Sequence, residues 1–473
     1  MNSTESGTCP NHEAASWRTP APRAGAPLPG PRGLPGIGAA HTFLFRGILG
    51  TFVALAGRYG PCYRLPLPFG QTAVTLSEPD AVERVLRSNR KNYPKGSVYD
   101  GARLLLGNGL VTSEGSFWER QRGLAQPAFK NTRLARYLHT MGDCTERLLD
   151  QWRAGRDGAS IDLHAAMTRL TMNIVGRTLF GLDLSGQTSS AGQAFTHALR
   201  GIGTRGPGNL QVPLWLPTPG NLRFRKALRE LDILVYEIIR RFRAGESEQA
   251  DHTLLGAFMG ARDPQTGEGM SDRQLRDEII TLYLAGHETT ASLLTWTFYA
   301  LAREPEVMAR VLEEIDTLAP ENAPSLEDLN RLTYLPGVLA EVLRLYPPAW
   351  TIARNVLDDD LVCGYRVPAG CFVLLSPFIT HRLEEHWPSP ERFDPERFTP
   401  ENSKGRHPFA YFPFSAGPRV CIGKHFSLYE AQLVLAMVLR EFRVELLDGR
   451  PVDFKSVGTL RPDRTIPVRI MRR

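Results

Sequence analysis

The chain has 473 residues, 42% hydrophobic and 22% charged, which provides for a large buried core and excludes both a mostly disordered chain and a polytopic membrane protein. Its net charge of +6 contains no block of five or six like charges, so nucleic acid is not an expected partner. The six cysteines are scattered, with no C-x-x-C pair, as suits a reducing, cytoplasmic setting rather than a disulfide framework.

Residues 1–40 hold 7 Pro and 6 Gly and little periodicity. The segment 1–23 is expected to be a disordered tail and 24–473 a single domain, with no apolar run of signal-peptide length at the start. Phe43 to Ala56 is the longest apolar candidate for a membrane span. It is short and interrupted by Arg46, Gly47 and Gly50, so it reads as an amphipathic or core helix, and no membrane span is expected. Tyr63 to Leu67 and Ala73 to Leu76 look like short strands. Helical patterns then dominate over 80–88, 117–126, 134–153, 163–180, 222–243 and 272–303, with Ser116 and Glu119 spaced as a capping box for the second of these. No second linker as rich in Pro and Gly follows. The expected fold is therefore mainly α with small β-sheets, built as one large domain.

The pattern 272–303 is the most informative. Ser271 and Gln274 are spaced as a capping box, no Pro interrupts it before Pro305, and its residues would span roughly 48 Å as a helix. Apolar residues fall on nearly every face from Ile279 to Leu301, which predicts a helix buried all round. Mid-length it carries Ala285-Gly-His-Glu-Thr-Thr290. Gly286 weakens the helix there, and the Thr289 hydroxyl can bond back to the Ala285 carbonyl. Such a notch suits ligand binding and proton delivery, or close passage of another helix.

Glu341 and Arg344 share one face of a short helix stopped by Pro347-Pro348. Further on, Phe414-Ser-Ala-Gly-Pro-Arg-Val-Cys-Ile-Gly423 precedes the helical pattern 424–442. Cys421 thus stands at a helix N-terminus, where free N–H groups are expected to favour its thiolate. A thiolate there is a nucleophile or a metal ligand, and an inert buried cysteine is the third reading. No base partner and no zinc ligand spacing is evident, whereas an axial thiolate on haem iron needs only this cysteine.

Taken together these elements resemble the cytochrome P450 family from about residue 30 to the end. Residues 414–423 fit its F-x-x-G-x-R-x-C-x-G at every fixed position. Ala285–Thr290 fits the oxygen-binding motif of its central helix, Glu341/Arg344 its E-x-x-R, and Pro395-Glu-Arg-Phe398 its P-E-R-F segment. The resemblance implies a cytochrome P450-type domain with a long buried central helix, and a soluble, bacterial-type haem-thiolate monooxygenase. Haem b would be held by Cys421, with Trp118, Arg122, Arg354 and Arg419 at its carboxylates and Phe414 packed near the thiolate. Glu288 and Thr289 would be the acid–alcohol pair that steers protons, and Arg397 would complete a structural network with Glu341 and Arg344.

Molecular oxygen would be a substrate, and electrons would come from a separate ferredoxin or flavodoxin with its reductase. Residues 118–156 hold eight Lys/Arg against four Asp/Glu, a candidate docking face that includes Arg120, Lys130, Arg133 and Arg136, with Lys424 nearby. By the same resemblance the pocket draws on Val98, Leu104–Leu106, Val212, Leu214–Leu216, Tyr283, Leu284, Ala349, Trp350 and Ile352. That set suits an apolar small molecule of fatty acyl, terpenoid or polyketide type. The alternatives are a haem-thiolate protein catalysing a non-hydroxylating oxidation or rearrangement, and a haem-binding sensor without turnover.

Overall fold

The computed structural model describes residues 24–181, 213–246, 252–319 and 323–473; the expected tail 1–23 and Val212 lie outside the described residues. Helix α1 (His41–Tyr59) covers the 43–56 segment. Gly47, at φ +64°, breaks its helical path. Beyond that kink Leu49, Phe52 and Ala56 are buried against Tyr63, Leu65 and Phe378. It is a core helix, and among the described residues no helix is long and apolar enough to cross a membrane.

Strands β1 (Cys62–Pro66) and β2 (Thr72–Leu76) form an antiparallel hairpin, with Cys62 opposite Leu76. The helical pattern that follows is split: an α-turn over Pro79–Glu83 passes into a π-turn over Arg84–Ser88. Helix α2 (Gly115–Ala125) begins earlier than expected. Glu114 is its N-cap residue and no side chain caps it, so Ser116 and Glu119 form no capping box. Helix α3 spans Asn131–Ala154, and strand β3 spans Ala159–Asp162. The Asp162 carboxylate then accepts from the N–H groups of His164 and Ala165 and starts α4 (Leu163–Phe180), which ends at Gly181 in the left-handed region at φ +66°. Thr218 and Pro219 start α5 (Pro219–Arg243).

Helix α6 (Asp272–Arg303) has the expected capping box: the Ser271 hydroxyl accepts from Gln274 N–H, and Gln274 reaches back to the Ser271 N–H. It packs antiparallel to α4, with the Thr171 hydroxyl on the His287 carbonyl at 2.9 Å and His164 Nδ1 3.1 Å from Thr295 Oγ1. Helix α7 (Tyr334–Leu345) carries Glu341 and Arg344. Strands β4 (Ile352–Asn355) and β5 (Phe372–Leu375) extend the first hairpin to a four-stranded sheet in the order β1-β2-β5-β4, in which only the β2–β5 pairing is parallel. Helix α8 (Lys424–Glu441) leads into β6 (Phe442–Leu446). A hairpin of β7 (Phe454–Val457) and β8 (Thr459–Pro462) follows, and β9 (Pro467–Arg472) lies between β3 and β6.

The main core gathers α3, α4, α6, α7 and α8. Within α6, Tyr283, His287, Thr290 and every residue from Ala291 to Leu301 are buried, but Ala285 is exposed and Gly286, Glu288 and Thr289 are half-buried. The helix is therefore not buried all round: it opens at the notch its sequence marks. Close passage of another helix is one reason for the notch, because a Cβ on Gly286 would come within 3.1 Å of Val175 on α4.

Candidate active site

A cavity of about 390 Å³ lies where α6 passes over the segment leading into α8. Seven of the predicted site residues line it: Trp118, Arg122, Thr289, Arg354, Phe414, Arg419 and Cys421. The eighth, Glu288, does not. It points away and pairs with Arg461 of β8 at 3.4 Å.

The cysteine segment owes its shape to local backbone chemistry. Ser415 (φ +61°) and Gly417 (φ +67°) both take left-handed conformations. A Cβ at Gly417 would sit 2.2 Å from the Leu86 carbonyl oxygen, so glycine lets the segment lie on the π-turn over 84–88. The Cys421 N–H then donates to the Phe414 carbonyl at 2.9 Å, closing the turn three residues before α8 begins. Its sulfur faces the cavity. Desolvation within the cavity raises the Cys421 thiol above its ordinary pKa, outweighing the lowering by the Gly423 N–H, Arg122 and Lys424. The helix start does not by itself lower this thiol, contrary to the sequence expectation. A bound metal would have to displace the proton.

One end of the cavity is cationic. Arg419 stacks over the Trp118 ring at 4.2 Å, donates to the Ser113 carbonyl at 3.0 Å and pairs with Glu114 at 3.1 Å. Arg354 donates to the Ala353 carbonyl at 2.7 Å, and Arg122 adds a third guanidinium at the wall. Lys95 is a fourth basic group that the sequence did not single out. It is buried, and its Nζ donates to the carbonyls of Leu110 and Val111 at 3.1 and 2.5 Å. Burial, together with the charges of Arg419 and Arg354, pushes Lys95 down to about 6. A neutral amine has two N–H donors for those two carbonyls; the protonated form has one more to give. Among the described residues only Glu114 lies within ion-pair distance of this group. Such an excess of buried positive charge requires anions. The two carboxylates of a haem, beside one free thiol, meet that requirement, so the residues fit the group. Nothing in the sequence could mark Lys95, because its burial comes from packing of the 95–113 segment.

The remaining wall is apolar. Leu282, Ala285, Gly286, Thr289, Thr290 and Leu293 form one stripe of α6 at helical spacing, facing Val175 and Leu179 of α4 and Ala349 and Ile352. Thr289 Oγ1 donates to the Ala285 carbonyl at 2.6 Å, the back-bond that its spacing predicted. Of the described pocket residues expected from sequence, only Ala349 and Ile352 line this cavity. Tyr283 packs into the core against Phe180 and His287, Trp350 packs edge-on against Phe52, and Trp215 is 76% exposed. For Tyr283 and Leu284 the error was one of helical phase: in a segment apolar on every face, periodicity does not say which stripe meets the cavity.

The family model described as Cytochrome P450 matches residues 28–468. The chain is 37% identical over 381 residues to cyclooctat-9-en-7-ol 5-monooxygenase of Streptomyces melanosporofaciens, covering 80% of this chain and 81% of that protein. It is 33% identical over 434 residues to pentalenene oxygenase of Streptomyces avermitilis, covering 90% and 94%. Among solved structures, a cytochrome P450DA heme domain shares 30% identity with a TM-score of 0.86, covering 95% of this chain and 99% of that one.

Proposed function

The chain belongs to the cytochrome P450 family, a haem-thiolate monooxygenase that uses O2 and a redox partner, and from that premise we propose that it oxygenates an apolar, terpenoid-like molecule in the cavity between α6 and the Cys421 segment. The observation that carries this reading is the convergence on one cavity of a single cysteine, a cationic end and an aliphatic stripe broken only by threonines. Pentalenene oxygenase and cyclooctat-9-en-7-ol 5-monooxygenase, named for such compounds, support the substrate class.

Haem b, once bound, supplies the oxygen-activating chemistry through its iron. Cys421 would be the residue that holds the iron. Arg354, Arg419 and Arg122 would neutralise the haem carboxylates, with Trp118 as the surface on which Arg419 lies and Lys95 close enough to take up a proton beside them. Phe414, whose carbonyl accepts the Cys421 N–H, would pack near the iron-bound sulfur and limit its contact with water. The Ala285–Thr290 notch gives the reacting end of the cavity its width, and the aliphatic stripe orients the substrate.

Thr289 Oγ1 is the proton-handling hydroxyl at the cavity wall. Glu288 is its acid partner, parked on Arg461 of β8, and protons pass when Glu288 turns from Arg461 toward the notch. Thr289→Ala is expected to leave haem binding intact while product formed per reduced nicotinamide falls about tenfold, less than the ~10²–10⁴-fold typical of losing a positioned proton donor, because water substitutes in part. The balance appears as hydrogen peroxide, measured alongside oxygen uptake. Product yield unaffected by the substitution removes Thr289 from proton delivery.

The electron donor is a small acidic ferredoxin or flavodoxin in the same, cytoplasmic, compartment. Tyr137 of α3 contacts Phe426 in the first turn of α8, with ring centroids 6.0 Å apart, and this brings the exposed Lys130, Arg136 and Lys424 to the Cys421 side. Arg120 is unsuitable as a probe because Asp263 and Glu268 already hold it at 3.2 and 3.6 Å. Combined reversal to Glu at Lys130, Arg136 and Lys424 is expected to slow first-electron transfer about tenfold at low ionic strength. The difference should vanish at high salt, with substrate affinity unchanged. Stopped-flow reduction at two salt concentrations checks this.

A further inference from the structure

The segment 107–113 forms part of the cavity wall through Leu110 and Val111, and it lies directly on α6. Two glycines make this approach possible. A Cβ on Gly107 would overlap the Asp277 carboxylate, with Oδ1 at 2.2 Å, and one on Gly109 would meet Thr281 Oγ1 at 2.2 Å and the Asp277 carbonyl at 2.7 Å. Two consecutive buried acids of α6 then take the segment's free N–H groups. Asp277 Oδ2 accepts from Asn108 N–H at 2.8 Å, and Glu278 Oε2 accepts from Leu110 N–H at 3.0 Å.

The opposite edge of the same peptides is held by cations. Lys95 takes the carbonyls of Leu110 and Val111, Arg103 that of Thr112 at 3.1 Å, and Arg419 that of Ser113 at 3.0 Å. Asp277 is anchored in turn by Arg276, which also bonds the Leu105 carbonyl at 2.9 Å and reaches Asp232 of α5 at 2.6 Å. Leu110 is therefore gripped through its N–H from the central helix and through its carbonyl from the cationic end.

We propose that Glu278 is a positioning residue that sets substrate specificity: with Asp277 it latches the 107–113 segment to the central helix and so fixes how far Leu110 and Val111 project into the cavity. This rests on the reading that haem and substrate share that cavity. Glu278 touches neither, and its effect runs through one backbone hydrogen bond. Replacing it by an apolar side chain leaves Leu110 N–H buried without a partner, and the segment shifts to recover one. Glutamine keeps an acceptor oxygen at the same reach.

The test uses the haem-loaded full chain and two azole probes followed by optical titration. Imidazole reports access to the iron, and 1-phenylimidazole adds a ring that rests on the wall. Glu278→Leu is expected to weaken 1-phenylimidazole about tenfold relative to imidazole, since ring packing of this size is at stake. Glu278→Gln should stay near wild type. Gly109→Ala displaces the segment without touching a charge and should shift the same ratio in the same direction; it decides the matter if Glu278→Leu yields no folded haem protein. An unchanged ratio in the Leu and Ala variants overturns the proposal, as does a parallel loss of both probes, which would report general damage to the site. Wild-type protein that binds neither azole would instead refute the haem-site reading.

Discussion

Cys421→Ala is expected to abolish the red-shifted Soret band that thiolate-ligated haem shows in the reduced, CO-bound protein, and to take monooxygenation to the background of free haem. The physical reason is that a haem iron in this cavity has one sulfur to meet. Cys421 is the described cysteine that borders the cavity. Cys62, Cys144 and Cys371 are buried, and Cys363 is half-buried, away from it. Burial pushes the Cys371 thiol up to about 11, so it is an inert packing group and Cys371→Ala serves as the control that keeps the band. The apoprotein of Cys421→Ala should remain folded, because the side chain makes no packing contribution comparable to a core leucine. A red-shifted band surviving in Cys421→Ala but lost in Cys371→Ala would overturn the assignment.

Glu341→Ala and Arg344→Leu are each expected to destabilise the fold by about 3–5 kcal/mol, the cost of leaving one member of a buried pair unpaired. Both side chains are fully buried. Every N–H of Arg344 is used: Nε and Nη2 on Glu341 at 2.7 and 2.8 Å, Nη2 also on the Arg392 carbonyl, and Nη1 on the carbonyls of His381 and Pro390. Glu341 also accepts the Asp394 N–H at 2.8 Å and has Arg397 Nε 3.4 Å away. This pair therefore organises the irregular chain from His381 to Arg397. His381 passes the constraint on, since its Nε2 accepts the Phe412 N–H at 3.0 Å just before the cysteine segment. For that reason the double variant Glu341→Leu/Arg344→Leu should not recover stability, as many buried pairs do when both members become apolar. It would strand the carbonyls of His381, Pro390 and Arg392. Urea unfolding followed by the CO signature measures all three variants, and a double variant as stable as wild type would show that the backbone contacts carry nothing.

Local sequence rules placed the elements whose signals are local. The capping box at Ser271/Gln274 is an interaction between near neighbours, and α4 and α6 have the expected bounds. The same kind of reasoning failed at Ser116/Glu119, where the left-handed Gly115 (φ +58°) starts α2 two residues early and moves Ser116 inside the helix. Arg397 joined the Glu341–Arg344 network as the motif resemblance implied.

The sequence by itself determined the family, the cysteine segment that carries its motif, and the Gly–Thr notch, because each is written in residues close together along the chain. Tertiary structure alone decided the rest. It chose the stripe of α6 that faces the cavity, turned Glu288 onto Arg461, and raised the Cys421 thiol instead of lowering it. It also brought Lys95 to the cationic end and set two carboxylates of α6 on a loop about 170 residues away in sequence. Burial, desolvation and hydrogen bonding between distant segments depend on which surfaces meet, and no periodicity or spacing along the chain encodes that meeting.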